Sequence, residues 1–401
     1  MSSERPIGIA ELASDPQGAL RRLRAQGSVA PTETGMMVVG YEALRTMLVD
    51  ERLRPSFFDF LEMFGISSGP FYEWMKISPL SMDGDEHRVW RQVMARTFTP
   101  RNVEQLRPFL KAQSNRLSDE LAARGHAEFM ADFARQLPSL GLCELIGVPA
   151  EDREQFTRWA DTIGLGFNPL LMAARISEID AALVALLEYA EKLVQERRKA
   201  PRDDLVTRIA QAVDQERGLP ESLVRGSVAG LVFAGHETTK NQLGWMITIL
   251  SESPAEWDRV GREPARATAL IEELLRFRST ATAVGRKAQT DLELDGVPIR
   301  AGTLIMGSLW GANTDPRAFA EPDRLSVEEN DKNPQMAFGH GPHHCLGAAL
   351  ARAELQEALI ALSARITCPR IEAGATFLPP LGINGPLSLP ITYSTRSAVT
   401  R

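Results

Sequence analysis

Residues 338–347 read Phe338-Gly-His-Gly-Pro-His-His-Cys345-Leu-Gly347, and a helical pattern, LGAALARAELQEALIALSARI, begins directly after the cysteine. Two glycines and a proline before the cysteine force a tight, irregular backbone, and Gly347 leaves room for a flat ligand. A cysteine at a helix N-terminus faces unpaired N–H groups and the positive end of the helix dipole, which favour its thiolate form. We therefore expect Cys345 to take part in chemistry, whereas Cys143 and Cys368 stand in contexts typical of a core.

Three kinds of chemistry fit a thiolate in this position: a nucleophile, a zinc ligand and an axial ligand to haem iron. The neighbouring His340, His343 and His344 favour zinc, but four ligands crowded into six residues lack the paired, separated spacing of closed zinc sites. No other histidine near Cys345 has an evident orienting role, a weak objection to a nucleophile because such partners can be remote in sequence. The residues alone leave these alternatives open.

The composition is that of a globular protein, with 401 residues, 44% of them hydrophobic and 24% charged. It excludes a disordered chain, a collagen-like repeat and a polytopic membrane protein. A net charge of -7 is not the balance of a nucleic-acid-binding protein. The first residues lack a signal-peptide core, no apolar run can cross a bilayer, and three cysteines are too few for a disulfide framework. We therefore expect a cytoplasmic protein that binds neither nucleic acid nor membrane.

Apolar residues at three- and four-residue spacing dominate the chain and predict helices. The predicted helices cover 104–123, 151–163, 175–198, 204–216, 220–251, 255–278 and 346–365. Strand-like pieces are few and short, at 36–40, 292–300, 303–308 and 376–393, and the Asp295-Gly296 pair predicts a tight hairpin turn. We expect a mainly α protein with small β-sheets, consisting of an N-terminal arm over 1–14 and a single domain over 15–401.

Residues 57–74 hold seven aromatic side chains, about a quarter of those in the chain, interrupted by glycine, serine and proline. A regular core helix is therefore not expected in this segment. It is either a loop that its aromatic side chains fold onto the core, or a flexible apolar lid over a ligand pocket. The segment taken alone favours neither alternative.

The run at 338–347 resembles the haem-binding loop of cytochrome P-450 enzymes, Phe-x-x-Gly-x-x-x-Cys-x-Gly, which it matches at every fixed position. Three further motifs follow in the family's order, and the resemblance extends over about residues 15–395. It implies the cytochrome P-450 fold, a large helical domain with small β-sheets, and haem b whose iron is held by the thiolate of Cys345. The loop residues then implied to contact the haem are Phe338, Gly339, His343 and Gly347.

The first of these motifs is Ala234-Gly-His-Glu-Thr-Thr239, in the middle of an apolar helical stretch. Glycine costs a helix about 1 kcal/mol relative to alanine, and a buried carboxylate or hydroxyl requires a partner. One explanation is a helix kink whose hydroxyls bond to carbonyls one turn earlier. The resemblance implies another, the distal helix over the haem: Ala234 and Gly235 open a groove for O2, and Glu237 and Thr238 relay protons as an acid–alcohol pair.

The second motif, Glu273-Leu-Leu-Arg276, resembles the Glu-x-x-Arg helix of the family, and its spacing allows a salt bridge between the two ends. By itself the pattern is common in helices. The resemblance implies a structural role that an arginine from a later irregular segment completes, and Arg324 stands in that place.

The third motif, His87-Arg-Val-Trp-Arg91, resembles a helix that binds the haem propionates in bacterial members. Residues 87 and 91 lie on one helix face. Arg286 and His343 match two further family positions with the same task, and several charge-assisted donors hold carboxylates better than one. Read singly, each of these residues is equally a solvated charge.

The resemblance implies a haem-thiolate monooxygenase that uses O2 to hydroxylate or otherwise oxidise an apolar small molecule. Electrons then come from a separate ferredoxin or flavodoxin system, which docks near the cysteine loop where Arg96, Arg101 and Arg352 supply positive charge. We expect a monomer. The alternatives are a peroxide-using or non-oxygenating haem-thiolate enzyme, against which the intact acid–alcohol pair argues, and a haem-binding sensor.

Substrate contacts are implied in three places. The segment 57–74 becomes a mobile lid, residues 166–171 a second flap, and the C-terminal turn a third wall. The pocket residues expected from this are Phe57, Phe64, Phe71, Phe167, Leu231, Ile383 and Asn384. Aromatic side chains in this number favour a sizeable apolar or ring-containing ligand such as a terpenoid, steroid, fatty acid or polyketide, and the sequence does not choose among them.

Overall fold

The computed structural model describes residues 6–216, 222–330 and 332–396, and it is mainly helical, as the sequence predicts. The helices of the first part are α1 (Ile9–Ser14), α2 (Pro16–Gln26), α3 (Tyr41–Val49), α4 (Phe57–Met63), α5 (Pro70–Lys76), α6 (Gly84–Thr97), α7 (Pro100–Ala122) and α8 (Gln136–Ile146). Those of the second part are α9 (Arg153–Gly164), α10 (Pro169–Lys199), α11 (Leu205–Gln215), α12 (Ser222–Ser251), α13 (Pro254–Arg262), α14 (Arg266–Phe277), α15 (Leu309–Asn313) and α16 (Ala348–Arg365).

The strands are short, and most of them come either before α4 or after α14 in the sequence. They are β1 (Val29–Thr32), β2 (Gly35–Val38), β3 (Leu53–Pro55), β4 (His126–Glu128), β5 (Ala283–Ala288), β6 (Leu292–Leu294), β7 (Val297–Ile299), β8 (Leu304–Ser308), β9 (Arg370–Ile371), β10 (Thr376–Phe377), β11 (Pro386–Ser388) and β12 (Pro390–Thr392). The largest sheet has the order β1-β2-β8-β5-β3, with β2 and β8 parallel and the other pairs antiparallel.

The hairpin predicted around residue 295 is confirmed. Strands β6 and β7 pair antiparallel, with Leu294 opposite Val297. Asp295 and Gly296 both take positive φ, 50° and 78°, as the two central residues of a tight hairpin turn do.

Helix α12 crosses the interior of the protein, and buried residues recur on all its faces. It packs against α8, α9, α10 and α16, so that it belongs to both large apolar clusters of the core. A helix buried all round cannot be amphipathic, and this is why its polar residues stand out in the sequence.

Two sequence-based expectations are wrong at the level of elements. Residues 57–74 form two short helices, α4 and α5, where we expected no regular helix; the glycines of the linker, Gly65 and Gly69, have φ of 80° and 106°. The helix predicted over 255–278 is broken after Arg262, because Pro264 cannot continue it.

The predicted arm over 1–14 is described from residue 6 onward. Ile7 forms an isolated bridge with Thr32, and α1 packs on α2. The boundary after residue 14 stays a prediction. Within the described ranges, no helix is both long and apolar enough to cross a membrane.

Candidate active site

Cys345 lies between a single 3₁₀ turn, Gly341–His343, and the start of α16. Its N–H donates to the carbonyl of Phe338 at 2.9 Å and closes the loop. Gly341 has a φ of 72°, and a Cβ there would lie 2.7 Å from a methyl group of Val49 on α3. Glycine is therefore needed at this position both for the turn and for the close packing of the loop on α3.

The protein acts on the Cys345 thiol in two opposing ways. Burial raises its pKa, whereas the N–H groups of Gly347 and Ala348 and the charges of Arg91 and Arg352 lower it. The helix N-terminus favours the thiolate as predicted, but burial outweighs it in the protein alone. A cation bound at sulfur reverses this balance, because a coordinating thiol is deprotonated outright. The environment therefore suits a metal-binding thiol better than a free nucleophile.

The surroundings of the thiol fit a flat cofactor. Cys345 keeps accessible surface although protein lies close enough to raise its pKa, so this surface faces an internal space. A Cβ on Gly347 would meet only the Cys345 sulfur, at 4.0 Å, and would fill part of that space. On α12, Ala234 is also exposed, between the buried Phe233 and His236.

Four of the side chains expected to bind the haem lie close together: His343 interacts with His87, Arg91 and Arg286, and Arg91 interacts with Cys345. His87 and Arg91 come from α6, Arg286 from β5 and His343 from the cysteine loop. The rings of His87 and His343 stack with centroids 3.9 Å apart. Burial and the charge of His87 lower the pKa of His343 to about 3, and burial lowers the pKa of Arg286 to about 10. Burial also lowers the pKa of Arg91, against the charge of Cys345.

Neither Arg91 nor Arg286 forms an ion pair with a carboxylate anywhere in the described ranges. Asp83 is the acidic residue whose charge acts on Arg286, and it only partly offsets the effect of burial. Buried positive charges of this kind require an anionic partner. The cluster therefore has the chemistry to hold the carboxylates of a bound cofactor.

Glu237 is buried on α12, and both its oxygens are occupied. Oε2 lies 2.5 Å from Lys240 Nζ, and Oε1 accepts from Asn241 Nδ2 at 2.8 Å. The Thr238 hydroxyl donates to the Ala234 carbonyl one turn earlier, at 2.6 Å. Glu237 and Thr238 are therefore adjacent but not hydrogen-bonded to each other. Gly235 lies against Leu142 of α8, which would be 3.2 Å from a Cβ at that glycine.

Asp161 on α9 connects this part of α12 to the rest of the protein. Its Oδ1 lies 2.9 Å from both Lys240 Nζ and His236 Nε2, and its Oδ2 accepts from Arg135 Nε at 2.6 Å. Burial raises the pKa of Asp161, but its cationic partners outweigh burial and hold it far below the usual range. The charges of Glu237 and Asp161 likewise overcome burial and raise the pKa of Lys240.

Comparison with known proteins decides what this arrangement is. A family model described as cytochrome P-450 matches residues 170–363. Luteothin monooxygenase of Streptomyces thioluteus is 32% identical, over 92% of this chain and 91% of that protein. Mycinamicin IV hydroxylase/epoxidase of Micromonospora griseorubida is 36% identical over 94% of each chain. The chain belongs to the cytochrome P-450 family. The crystal structure of CalO2 has the same fold, with a TM-score of 0.87 at 26% identity over 96% of this chain and 97% of that one.

The fold and enzyme class inferred from the sequence are thereby confirmed: this cytochrome P-450 is an oxidoreductase whose relatives are named as monooxygenases and hydroxylases. Haem b, with iron and a cysteine thiolate ligand, is the cofactor of the family. The exposed Cys345 thiol, the gap beside Gly347 and the unpaired arginines Arg91 and Arg286 fit that group.

The Glu273–Arg276 pair of this cytochrome P-450 is formed as predicted, with Arg276 Nε 2.7 Å from Glu273 Oε2. The prediction that the Arg324 side chain completes it is wrong, because that side chain is exposed and pairs with Glu321. Its carbonyl accepts from Arg276 instead, and the buried amide of Asn330 donates to Glu273 at 3.0 Å. A backbone carbonyl and an amide side chain, and no third charged group, therefore complete the hydrogen bonding of the buried pair.

Several of the residues expected to line the substrate pocket contact one another. Phe57 and Phe71 pack against Phe167, with ring centroids 5.1 and 5.8 Å away. Phe167 stacks on Phe233 of α12 at 3.6 Å, a contact that the sequence did not indicate. Phe71 is fully buried and holds the other rings rather than lining open space. Phe64 and Leu231 are half-buried against the same core cluster.

The C-terminal turn is fixed to the predicted second flap. The Ile383 N–H donates to the Phe167 carbonyl at 3.0 Å, and Asn168 Nδ2 lies within 3.4 Å of three carbonyls of the turn. Ile383 keeps some exposure and packs on the core cluster. Asn384, expected to point into the pocket, is fully buried, and its Nδ2 donates to the Thr280 carbonyl at 2.7 Å.

Proposed function

We propose that this cytochrome P-450 is an O2-dependent monooxygenase that hydroxylates or otherwise oxidises an apolar small molecule. The observation that carries the proposal is the position of Cys345, which receives N–H groups at the start of α16 and lies near Arg91, an arginine without a carboxylate partner in the described ranges. When bound, the haem supplies a thiolate-ligated iron, whose electron-rich sulfur favours cleavage of the O–O bond.

In this proposal each residue around the cofactor has a distinct task. The Cys345 sulfur holds the iron, and Phe338 packs at the loop with the Arg352 guanidinium 4.6 Å from its ring centre. The haem carboxylates are held by the cluster described above, namely His87, Arg91, Arg286 and His343. Gly339, with a φ of 70°, keeps the loop backbone in the turn that presents the cysteine.

Proton delivery falls to Glu237 and Thr238. The Glu237 carboxyl group is held between Lys240 and Asn241, whereas the Thr238 hydroxyl oxygen remains free to accept, because its hydrogen is donated to the Ala234 carbonyl. A proton that leaves Glu237 reaches Thr238 through a water molecule, since the two side chains are not bonded directly. The exposed Ala234 leaves space for such a water and for O2.

An apolar substrate is supported by the rings that meet at Phe167 and by the half-buried Ile383. The two relatives named above act, by their names, on luteothin and mycinamicin IV. We propose a sizeable apolar or ring-containing compound as the substrate class.

A separate ferredoxin or flavodoxin is the proposed electron donor, since the sequence carries no flavin or iron–sulfur motif. Of the arginines expected to dock it, Arg101 is exposed, Arg96 pairs with Glu216 at 2.8 Å and Arg352 with Glu272 at 2.6 Å. Arg101 therefore offers the least neutralised charge of the three. Three free cysteines suit a reducing compartment and support a cytoplasmic location. A monomer is the oligomeric state that we propose.

The test is the absorbance of the reduced protein exposed to carbon monoxide, for the wild type and for Cys345→Ser. We expect the strongly red-shifted Soret band of thiolate-ligated haem in the wild type and its loss in the variant. Cys368→Ser is the matched control, because Cys368 donates to the Leu250 carbonyl and a serine can do the same. An unchanged band in Cys345→Ser would contradict the ligand assignment. Turnover with peroxide alone, and none with O2 and a reduced ferredoxin, would contradict the monooxygenase.

A further inference from the structure

A small cavity of about 30 Å³ lies away from the cysteine loop, where α2 meets the end of α14 and the start of α15. Its walls include three arginines, Arg21, Arg24 and Arg278, together with Trp310. Asp323 is the acidic residue among the lining residues, and its side chain is exposed. The lining therefore carries an excess of positive charge.

None of these arginines forms an ion pair with a carboxylate of the described ranges. Arg24 donates through Nη2 to the Gly311 carbonyl and the Thr314 hydroxyl, each at 3.0 Å. Its Nε is fully buried and has no acceptor among the described residues. Burial lowers the pKa of Arg24 although Asp315 and Asp323 oppose this. A buried donor without an acceptor is costly, and it requires a partner.

Arg278 is held by aromatic faces rather than by a carboxylate. Its guanidinium carbon lies 4.5 Å from the ring centre of Trp310 and 5.1 Å from that of Trp245. Burial lowers its pKa, and no acidic residue of the described ranges counteracts this. The two rings stabilise the charge, but they leave the N–H edge of the guanidinium without an acceptor among the described residues. Arginine presents that edge as a fork suited to an oxyanion.

We propose that this cavity, the arginine cavity, binds a small oxyanion: a phosphate or a carboxylate, free or at the end of a small molecule. Two half-buried guanidinium groups, neither paired with a carboxylate of the described ranges, line a volume too small for an organic cofactor but sufficient for a few oxygen atoms. Arg21, exposed on α2, adds charge at the rim. Asp323 limits the affinity, because its negative charge competes with the ligand.

The experiment is calorimetric titration of the haem-loaded protein with inorganic phosphate, and separately with acetate, at constant ionic strength set by chloride. We expect at least one of the two anions to bind, with an affinity at least tenfold lower in Arg278→Met. Arg21→Met, on an exposed side chain that folding does not require, should weaken binding several-fold. Asp323→Asn should tighten it. The matched control is Arg22→Met, which removes one charge from the same helix but not from this cavity.

A thermal scan of each variant gives a second readout, since a bound anion stabilises the folded protein by mass action. Phosphate should raise the Tm of the wild type more than chloride does, and Arg278→Met should lose that excess. If phosphate raised the Tm of Arg278→Met beyond the chloride value by as much as in the wild type, the rise would be a general salt effect and the proposal would be wrong. Equal heats for phosphate, acetate and chloride in the wild type, or weaker binding in Asp323→Asn, would also overturn it.

Discussion

Glu354 on α16 is an unusual residue for the core of a protein. Its side chain is fully buried, and neither oxygen has a hydrogen-bond partner among the described residues. Helix α8 approaches so closely that a Cβ on Gly141 would lie 2.8 Å from Oε1. Burial raises the pKa of Glu354 to about 8, against a smaller effect of the Thr239 hydroxyl. The carboxyl group is therefore neutral at pH 7.

Stability should depend on pH through this residue. Because its pKa is higher in the folded than in the unfolded state, its contribution is fully present below the unfolded pKa and is lost as pH rises through about 8. We expect Glu354→Gln, which is neutral throughout, to be more stable than the wild type by about 3 kcal/mol at pH 9 and to lose this slope. Denaturant unfolding at pH 6 and pH 9 measures this difference in the free energy of unfolding. Glu357→Gln, which breaks a pair with Arg107, is the control that should destabilise at both pH values.

Asp161 illustrates a residue that holds others in place. Replacing it with asparagine removes the negative charge shared by Lys240, His236 and Arg135, while Glu237 alone remains to neutralise Lys240. We expect Asp161→Asn to lower stability by about 3 kcal/mol and to increase the peroxide released per electron consumed, because Lys240, which holds Glu237, loses its second charged partner. Glu154→Gln removes the exposed end of the same network and should leave the coupling intact. Unchanged coupling in Asp161→Asn would separate the network from proton delivery.

The residue pattern shows some of these partners and hides others. Lys240 follows Glu237 by three positions on a predicted helix, a spacing at which side chains meet. Asp161 lies in another helix, and its contact with Lys240 exists only because α9 packs across α12. Sequence motifs therefore identify the reacting groups, whereas their partners depend on tertiary packing.

At the scale of elements, Asn168 links three parts of the pocket wall. Its Oδ1 caps α10 by accepting from Leu170 N–H at 3.2 Å, and its Nδ2 donates to the turn at 379–383. The predicted flap and the C-terminal turn are thus held as a unit.

Two substitutions at Asn168 separate capping from this link. Asn168→Ala removes both and should destabilise the protein by about 2–3 kcal/mol. Asn168→Asp keeps the cap but replaces the donor with a charge that the carbonyls repel, so we expect faster substrate entry and weaker binding with α10 intact. Stopped-flow measurement of the substrate-induced spin-state change records both the rate of substrate entry and the strength of binding. Identical entry rates in Asn168→Asp and the wild type would show that the turn does not restrain the flap.

The glycines among the aromatic side chains of 57–74 predict a break in regular structure. The break is present, but it is confined to residues 64–69, between α4 and α5. Helices α4 and α5 form on either side of it because their aromatics pack on the core, as Phe71 and Trp74 do. Local composition does not contain that tertiary stabilisation. The lid role of this segment stays a prediction.

For the whole molecule, the Glu273–Arg276 pair organises the irregular chain that leads to the cysteine loop. Arg276 donates to the carbonyls of Asn313, Pro322 and Arg324, and the Asn313 side chain accepts from the Met336 N–H at 2.7 Å. One buried pair therefore fixes more than twenty residues that form little regular structure of their own.

Breaking this pair should lower both the stability of the protein and its ability to retain haem. Glu273→Gln leaves Arg276 as a buried charge without a counter-ion, and we expect a loss of about 3–5 kcal/mol together with reduced haem content after purification. The haem-to-protein absorbance ratio and the Tm measure the two effects. Glu272→Gln, one residue earlier, breaks a half-exposed pair with Arg352 and should cost less than about 1 kcal/mol. Equal losses in the two variants would contradict the proposed role.

The order of the motifs makes the architecture of the whole chain predictable, because Cys345, Glu237 and His87 each fix the role of one helix. What the sequence could not supply is the polar packing between segments. Asn330 in place of the Arg324 side chain, and the stacking of Phe167 on Phe233, arise from contacts between distant parts of the chain.

The parallel pairing of β2 with β8 joins residues 36–38 to residues 305–307, which come more than 260 residues later in the chain. A ribosome adds roughly 5–20 residues per second. The first strands therefore leave the exit tunnel many seconds before their partner has been made. During that time β1 and β2 expose an unpaired edge, which is a template for association with other chains. Production of this protein should thus be more sensitive to chaperone supply and to synthesis rate than its mainly helical content indicates.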